Sequence, residues 1–313
     1  MGLSSRFREA VDLYRWQSAD IPSQVRGLIG QGDECKRRVF DRTGLELTGR
    51  RILDIGPGQK VRQMVYFAMT NEVTGIDLDV IRLDYSIADY MRMMRENGPI
   101  RTAKTFGRKM LGIDRKFQAE MRKQMGVTRS ANIDLRQMDA TVMDFEDATF
   151  DFVYSFSVFE HLPDPPAVLK EVTRVLKPGG VAYISLHLFT ADNGCHDTRI
   201  FCGNREELPY WPHLRPDSKS LVRCNAYLNE IRLDDWRNIY RAEWPGVDFI
   251  AEQYRDDEKV MLSEELQKAR SAGDLTGYND DELMTVDLVA IWQKPGVVNE
   301  SDVSVVEAAK GAK

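Results

Sequence analysis

The chain has 313 residues, of which 42% are hydrophobic and 29% are charged, and its formal net charge is −6. This length and composition predict a globular protein with a substantial core, built as one elaborated domain or as one domain with a cap. The acidic balance argues against nucleic acid as a partner, and no apolar run approaches the roughly 20 residues that span a bilayer.

Residues 1–50 are predicted to form helices that lead into a sheet. The apolar residues at helical spacing are Phe7, Val11 and Tyr14 in a first stretch, and Val25, Leu28 and Ile29 in a second stretch after Pro22.

From residue 51 onward, short β-rich runs alternate with helical patterns. The first five are RILDIG at 51–56, VTGIDLD at 73–79, IDLRQMDA at 133–140, FDFVYSFS at 150–157 and VAYISLHLF at 181–189. Such alternation predicts a parallel sheet with crossover helices. Two later runs, at 247–254 and 284–294, are expected to pair antiparallel at the far edge. The fold class is therefore α/β, a doubly wound, seven-stranded and mostly parallel sheet of the Rossmann-like kind, over residues 51–294.

Two insertions interrupt this rhythm and are expected to carry specificity. Residues 80–130 are too long for an ordinary crossover, and residues 190–245 form a predicted cap rich in loop-forming and aromatic residues. The tail at 295–313 is small and polar and is predicted to be disordered.

The glycine loop after the first strand is the strongest local signal. Asp54 ends an apolar run, and Gly56 and Gly58 let the backbone approach a ligand closely. A tight turn without a ligand is the plain structural alternative. Asp77 and Asp139 follow the next two strands, so three carboxylates are expected to line one crevice at the carboxyl ends of the strands. Asp77 is placed like an acid that binds ribose hydroxyls.

Such a crevice suits either a dinucleotide or S-adenosylmethionine. The dinucleotide fingerprint G-x-G-x-x-G needs glycine at position 61, where this chain has Val61. A P-loop is excluded because the chain lacks G-x-x-x-x-G-K-[ST].

The order of motifs resembles one family closely. LDIGPG, GIDLD, MDA, TFDFVYSFSVFEHLPDP and LKEVTRVLKPGGVAYIS, spread over roughly residues 45–190, resemble class I S-adenosylmethionine-dependent methyltransferases of the small-molecule branch often called type 11. The resemblance implies S-adenosylmethionine as the cofactor and methyl transfer as the activity.

By this resemblance, the glycine loop would pack against the methionine part of the cofactor, Asp77 would bind its ribose, Asp139 and Ala140 would lie beside its adenine, and Asp54 would face its ammonium group. The cofactor-binding residues implied together are Asp54, Gly56, Pro57, Gly58, Asp77, Leu78, Asp139, Ala140, Ser155 and Phe156. Lys60 departs from the family, since many relatives have a third glycine there, and its side chain must point away from the cofactor or touch the cofactor carboxylate.

Three histidines are the candidates for a general base, because imidazole titrates near neutrality and can deprotonate a hydroxyl. His187 and His196 rank above His161, since the family uses the loop after the fifth strand to face the acceptor. A purely structural role for each is the alternative. Some relatives with E-x-x-E-H bind magnesium, but here only Glu160 and His161 match and Ser157 takes the first acidic position, so no metal ligands are assigned.

Zinc bound by Cys195, Cys202, His213 and Cys224 is not expected either, because their spacing lacks the usual pairs. The four cysteines form no C-x-x-C pair and the chain starts without a recognisable signal segment, which predicts reduced thiols and a cytoplasmic location.

Residues 91–130 carry eleven Lys or Arg against three acids, a local charge of +8. Apolar residues at spacings of three and four predict an amphipathic, basic helix there. It either forms a solvated face over the core, or contacts an anionic membrane surface or an anionic or lipid-linked acceptor.

The cap is more loosely similar to uncharacterised bacterial methyltransferases of surface-glycan biosynthesis. This suggests an oxygen nucleophile on a sugar, stacking by Tyr210 and Trp211, and pairing of acidic groups with Arg199, Arg205 or Arg215. The function predicted is O-methylation of a small molecule or glycan. The rivals are a non-catalytic protein that keeps the cofactor fold, and a membrane-associated partner protein.

Overall fold

A computed structural model of the chain describes residues 19–127, 133–205, 208–224 and 226–296. The predicted helical stretch around Phe7, Val11 and Tyr14 and the predicted disordered tail from residue 297 onward lie outside these ranges. Within them, none of the helices combines the length and apolarity that crossing a bilayer requires.

Seven strands form one sheet. They are β1 (Arg51–Ile55), β2 (Glu72–Asp77), β3 (Ile133–Gln137), β4 (Phe150–Phe156), β5 (Leu176–His187), β6 (Asp248–Gln253) and β7 (Thr285–Gln293). Their spatial order is β3-β2-β1-β4-β5-β7-β6. The first five run parallel, whereas β7 runs antiparallel to both β5 and β6. The predicted doubly wound, seven-stranded fold is confirmed.

Helices cover both faces of this sheet. They are α1 (Ile21–Thr43), α2 (Arg62–Ala68), α3 (Ile87–Glu96), α4 (Pro99–Met110), α5 (Ile113–Met125), α6 (Pro165–Val175), α7 (Thr198–Phe201), α8 (Leu233–Glu243), α9 (Asp256–Ser271) and α10 (Asp280–Met284). The side chains of β1 alternate between two cores: Ile52 packs in the cluster shared with α1, α2 and α5, while Leu53 and Ile55 pack in the cluster shared with α6 and α8.

Helix α1 has a recognisable start and stop signal. The Asp20 side chain accepts a hydrogen bond from the backbone N–H of Ser23, Pro22 lies in the first turn, and Gly44 closes the helix in the left-handed conformation with φ 71°. Arg38 of this helix pairs with Glu252 of β6 and donates to the Tyr183 hydroxyl of β5, which ties α1 to the sheet.

The single basic helix predicted for 91–130 is wrong. Helices α3, α4 and α5 replace it, and Gly112, with φ 64°, separates the last two. The predicted apolar stripe divides at that glycine, because Phe117 and Met121 are buried while Phe106 and Met110 are exposed.

The predicted cap at 190–245 is shorter in the structure. Its last segment, α8, is a regular helix packed against α6, with Trp236 and Tyr240 in the main core, so the irregular part ends before residue 233. The sequence analysis also missed α9 and α10, which lie between β6 and β7. Leu262 and Leu266 of α9 pack with Trp211 in a separate cluster beneath the cap.

Candidate active site

The glycine loop turns sharply from β1 toward α2. Gly56 has φ 75°, and its backbone N–H donates to the carbonyl of Ile76 in β2 at 2.8 Å. A Cβ at this position would lie 2.5 Å from a methyl carbon of Val158, so only glycine fits. The loop is thereby held between β2 and the segment that follows β4. Pro57 and Gly58 continue it at the same edge of the sheet, where the sequence analysis placed the cofactor.

The first two predicted acids lie together at this edge. Asp54 is buried and accepts a hydrogen bond from the Tyr154 hydroxyl at 2.6 Å. Burial raises the pKa of Asp54 to about 7, against the lowering effect of the Tyr154 hydrogen bond, and the charge of Asp77 raises it further. Asp77 accepts from the backbone N–H groups of Asp79 at 2.8 Å and Gly58 at 3.3 Å.

The adenine end of the predicted site is open. Asp139 is exposed and accepts hydrogen bonds from the backbone and hydroxyl of Thr141, both at 2.8 Å, while Ala140 beside it is buried. Leu78 and Val142 are 65% and 76% exposed. A flat aromatic ring such as adenine could pack on these exposed apolar side chains beside Asp139.

Two other predicted cofactor residues do not direct side chains into the crevice. Ser155 is fully buried and its hydroxyl donates to the carbonyl of Ile55 at 2.8 Å. The Phe156 ring packs against Tyr154 and Tyr183, with ring centroids 5.6 and 5.7 Å apart. Only the backbone of these residues is left to face a ligand.

Lys60 lies beside the insertion. It lines a small cleft with Arg62, Asp114 and Phe117, and burial, followed by the charges of Arg62 and Arg108, lowers its pKa to about 8. Of the two positions that the sequence left open for Lys60, the structure shows the one in which its side chain packs toward α5.

All four histidines of the chain gather at the ends of β4 and β5. The ring of His196 lies 4.9 Å from that of His161 and 5.4 Å from that of His187, measured between centroids. His213, which the sequence analysis did not include among the candidate bases, lies in the cap with its Nε2 atom 2.6 Å from the carbonyl oxygen of Phe189.

His187 is held on both sides. Its Nδ1 atom lies 3.0 Å from a carboxylate oxygen of Asp287, and its Nε2 atom lies 3.0 Å from the side-chain oxygen assigned to Asn193. Burial opposes protonation, but the Asp287 hydrogen bond and charge and the nearby Glu160 together raise the pKa of His187 above its usual value. Both ring nitrogens of His187 are therefore occupied by partners within the chain. Its ranking as a leading general base stays a prediction, and in this arrangement neither nitrogen is free to meet an acceptor.

His196 is carried by a loop that folds back on itself after β5. Backbone hydrogen bonds from Ala191 to Leu188, from Gly194 to Ala191 and from His196 to Asn193 make three successive turns. A Cβ on Gly194 would lie 2.3 Å from two carbonyl oxygens, so the loop needs glycine there. Burial first, and then the charges of the other histidines, lower the pKa of His196 to about 3. The ring is neutral, and its Nε2 atom is buried without a hydrogen-bond partner.

Glu160 is a functional candidate that was not predicted, because it belongs to a motif whose first acidic position is taken by Ser157. Its side chain is buried, and neither carboxylate oxygen has a hydrogen-bond partner of normal geometry, although the backbone N–H groups of Glu160 and His187 lie near enough to lower its pKa. Burial raises the pKa of Glu160 to about 7. The neighbouring His161 places Nδ1 2.6 Å from the carbonyl of Tyr227, and burial lowers the pKa of His161. The preceding Val158 touches Gly56, so this group borders the glycine loop.

The cap residues that were predicted to bind a sugar already contact other residues of this chain. Trp211 is fully buried beneath the cap, and the Arg205 guanidinium lies 4.0 Å from the centre of the Tyr210 ring. The three candidate arginines are paired within the chain, Arg199 with Asp197, Arg205 with Asp192 and Arg215 with Asp274. Within the described ranges, the cysteines and His213 do not converge into a metal-binding group.

The crevice fits S-adenosylmethionine. Gly56 makes a tight turn against Val158. The carboxyl groups of Asp54 and Asp77, whose pKa values burial raises, are the groups that would face the ammonium and the ribose. The exposed side chains of Leu78 and Val142 flank the adenine end. Asp54, Asp77 and Asp139 would hold the cofactor in the positions that the family resemblance predicts.

A protein-family model described as a methyltransferase domain, type 11, matches residues 96–184. The phosphatidylethanolamine N-methyltransferase of Cereibacter sphaeroides is 43% identical over 61 residues, which cover 20% of this chain and 30% of that protein. Phosphoethanolamine N-methyltransferase 1 of Triticum aestivum is 30% identical over 186 residues, covering 57% and 30%. The ubiquinone biosynthesis O-methyltransferase of Xanthomonas oryzae is 24% identical over 171 residues, covering 55% of each. The chain thus spans between about a third and about half of the length of these relatives.

Among solved structures, phosphoethanolamine N-methyltransferase 2 of Haemonchus contortus, in complex with phosphomonomethylethanolamine and S-adenosylhomocysteine, aligns with a TM-score of 0.45 at 18% identity, covering 84% of this chain and 53% of that one. A methyltransferase from Methanosarcina mazei aligns with a TM-score of 0.41 at 17% identity, covering 79% and 93%. The chain is thus similar to S-adenosylmethionine-dependent methyltransferases: a methyltransferase-domain model matches residues 96–184, and the strand order is that of the predicted Rossmann-like fold.

Proposed function

We propose that the protein is an enzyme that transfers the methyl group of S-adenosylmethionine to a hydroxyl group of a small molecule, sugars included. When bound, the cofactor supplies an activated sulfonium methyl. The chain's own task is to hold the acceptor in line, exclude water and remove the hydroxyl proton. The named relatives include N- and O-methyltransferases, so the choice of oxygen must come from this chain's own residues.

The proposal that the acceptor is an oxygen atom rests on the group formed by Glu160, His161 and His196. A hydroxyl needs a base at neutral pH, and a base works best when its pKa lies near the working pH. Burial gives Glu160 such a pKa, about 7, and leaves both of its oxygens without partners. The group borders the glycine loop through Val158, so a hydroxyl that reaches it would lie near the methyl donor.

A cavity beside this group is our candidate for the acceptor pocket. It has a volume of about 490 Å³ and lies between the cap and α9, where Phe201, Asn193 and Tyr254 line it. The Phe201 ring also touches His187 and His196, at centroid distances of 6.1 and 5.8 Å. Another cavity, of about 670 Å³, lies under the insertion, and none of its lining residues belongs to the strand-end acids or the histidines. We therefore assign the acceptor to the smaller one.

Calorimetric titration with S-adenosylhomocysteine tests the cofactor, and incubation of labelled S-adenosylmethionine with a panel of alcohols, sugars and amines tests the acceptor. We expect one binding site that Asp77→Ala weakens at least tenfold, and label transferred to oxygen. Absence of binding would refute the enzyme. Binding without transfer to any acceptor would favour the non-catalytic rival, and transfer to amines alone would refute the hydroxyl.

We further propose that the insertion contacts an anionic membrane surface at the cytoplasmic face. In α4 the usual pattern is inverted, because Thr102, Thr105 and Arg108 are buried while Phe106 and Met110 are exposed. Exposed apolar residues continue along this surface, and the patch comprises Ile87, Met91, Met94, Ile100, Phe106, Met110 and Leu111. Exposed Arg92, Arg95 and Lys104 lie among them. Apolar side chains rimmed by basic ones suit an interface of anionic lipids.

A further inference from the structure

Three ligand-type side chains converge beside the glycine loop. One atom each from Glu160, His161 and His196 can be chosen so that all three lie within 4.8 Å of one another. Among the residues that the structure describes, no other group of three or more histidine, cysteine or acidic side chains does so. We call these three residues the EHH cluster.

The atoms that the EHH cluster presents are free to bind. The Tyr227 carbonyl accepts the Nδ1–H of His161, so the lone pair of its Nε2 atom faces away from that bond. The Nε2 atom of His196 and both carboxylate oxygens of Glu160 are buried without any hydrogen-bond partner. A buried polar atom without a partner costs about 1–3 kcal/mol, and several at one point indicate that something else satisfies them.

The surroundings hold these ligands in place. The Tyr227 carbonyl orients His161 as an outer partner does in metal sites. The turns of the loop after β5 fix His196, and the Phe201 ring packs 5.8 Å from its ring. Both ring nitrogens of His187 lie 3.0 Å from partners, Asp287 and Asn193, so His187 offers no free ligand atom of its own.

We propose that the EHH cluster binds one divalent transition-metal ion. Two imidazoles and one carboxylate suit Zn²⁺, Fe²⁺ or Mn²⁺, whereas Mg²⁺ and Ca²⁺ prefer sites made of oxygen ligands. Bonds of ~2.0–2.2 Å to a metal place its ligand atoms ~3–4 Å apart, so side-chain rotation of about 1 Å closes the cluster around the ion. Three protein ligands leave a position open for water or for an acceptor oxygen. A bound ion would lower the pKa of a hydroxyl at that position, so in the metal-bound protein Glu160 would act as a ligand and the ion would replace it in promoting loss of the hydroxyl proton. The role of the open position in binding an acceptor rests on the proposed function. The binding of the metal ion does not.

Metal uptake by the purified full chain tests the proposal. Protein stripped with a chelator is titrated with Zn²⁺ against a chromophoric competitor, and with Co²⁺ while its visible absorption is recorded. We expect one equivalent per chain, and at least a hundredfold weaker binding for Glu160→Gln, His161→Gln and His196→Gln. The matched control is His213→Gln together with Cys224→Ser, which should bind like the wild type.

The outcomes separate this inference from the proposed function. If the wild type takes up no metal, or if the three variants bind as tightly as the control, the metal site is refuted even when S-adenosylhomocysteine binds normally. If metal binds in the expected ratio and S-adenosylhomocysteine does not bind, the site stands and the methyltransferase proposal fails. Melting temperatures of the variants, measured with chelator, show whether lost uptake reflects lost folding, and the wild-type titration decides the matter in that case.

Discussion

The Arg108 guanidinium donates a hydrogen bond of 2.7 Å to the backbone carbonyl of Gln59, at the end of the glycine loop. The same side chain pairs with Asp114 at 2.9 Å, and both partners are about nine-tenths buried. The Gln59 side chain in turn accepts from the Tyr85 hydroxyl at 3.0 Å. The basic insertion therefore braces the loop on which the cofactor is expected to rest, and Arg108 is not available to an anionic acceptor.

Arg108→Met should loosen this brace. The change leaves the Gln59 carbonyl and part of the Asp114 carboxylate without a partner, so we expect a loss of about 2 kcal/mol in the free energy of unfolding. S-adenosylhomocysteine should bind roughly tenfold more weakly, because the loop is less ordered before binding. Urea unfolding and calorimetry measure the two effects. Lys104→Met, on the exposed face of the same helix, is the control and should change neither. Lost stability with unchanged affinity would show that the brace matters only to the insertion.

Asp54 should make the ligand-free protein less stable as the pH rises from 4 to 7. Its pKa is raised from 3.8 to about 7 by burial, so the folded state holds a proton that the unfolded state has already released in this range. The contribution is complete below the unfolded pKa and is lost as the pH passes the folded one, at most about 4 kcal/mol in all. Asp54→Asn should remove this part of the slope in urea-unfolding curves taken across that range. A wild type and variant with parallel profiles would contradict the prediction.

His187 and His196 should differ in what they contribute. His187→Leu leaves the side chains of Asp287 and Asn193 without their hydrogen-bond partner, and we expect a loss of about 2 kcal/mol in the free energy of unfolding. His196→Leu removes a buried nitrogen that has no partner, so stability measured with chelator should hold within about 1 kcal/mol. Methyl transfer should nevertheless fall at least tenfold in His196→Leu. Equal destabilisation of the two variants would assign both rings to structure.

The sheet could be predicted from sequence because each strand carries a local signal. The apolar run around Leu53 ends in Asp54 and Gly56, and that order by itself indicates a strand, a turn and a ligand edge. The break at Gly112 and the helix α9 were also legible, since a glycine interrupts the first and Leu262 and Leu266 recur at helical spacing in the second.

The roles within the histidine group could not be read in this way. The partner of His187 is Asp287, exactly one hundred positions away, and it becomes a neighbour only through the pairing of β5 with β7. Glu160 gains its raised pKa from burial, which no local pattern around it indicates. Contacts between residues far apart in the sequence therefore decide which imidazole has hydrogen-bond partners, as His187 does, and which has an unpartnered nitrogen, as His196 does.

The exposed face of α4 provides the last prediction. Ile100, Phe106 and Met110 are 63%, 50% and 70% exposed, so changing all three to serine removes apolar surface without opening the core. We expect binding to vesicles that contain phosphatidylglycerol to fall at least tenfold in sedimentation, with an unchanged melting temperature. The matched control changes Phe40, Leu221 and Val260, which are 50%, 52% and 65% exposed elsewhere, and should bind as the wild type does. Because Arg95 and Lys104 add attraction of about 1 kcal/mol each near an anionic surface, 0.5 M salt should weaken binding by the wild type. Equal binding by both triple variants would instead make the basic insertion a solvated face, since a membrane contact cannot be indifferent to the apolar residues at its centre.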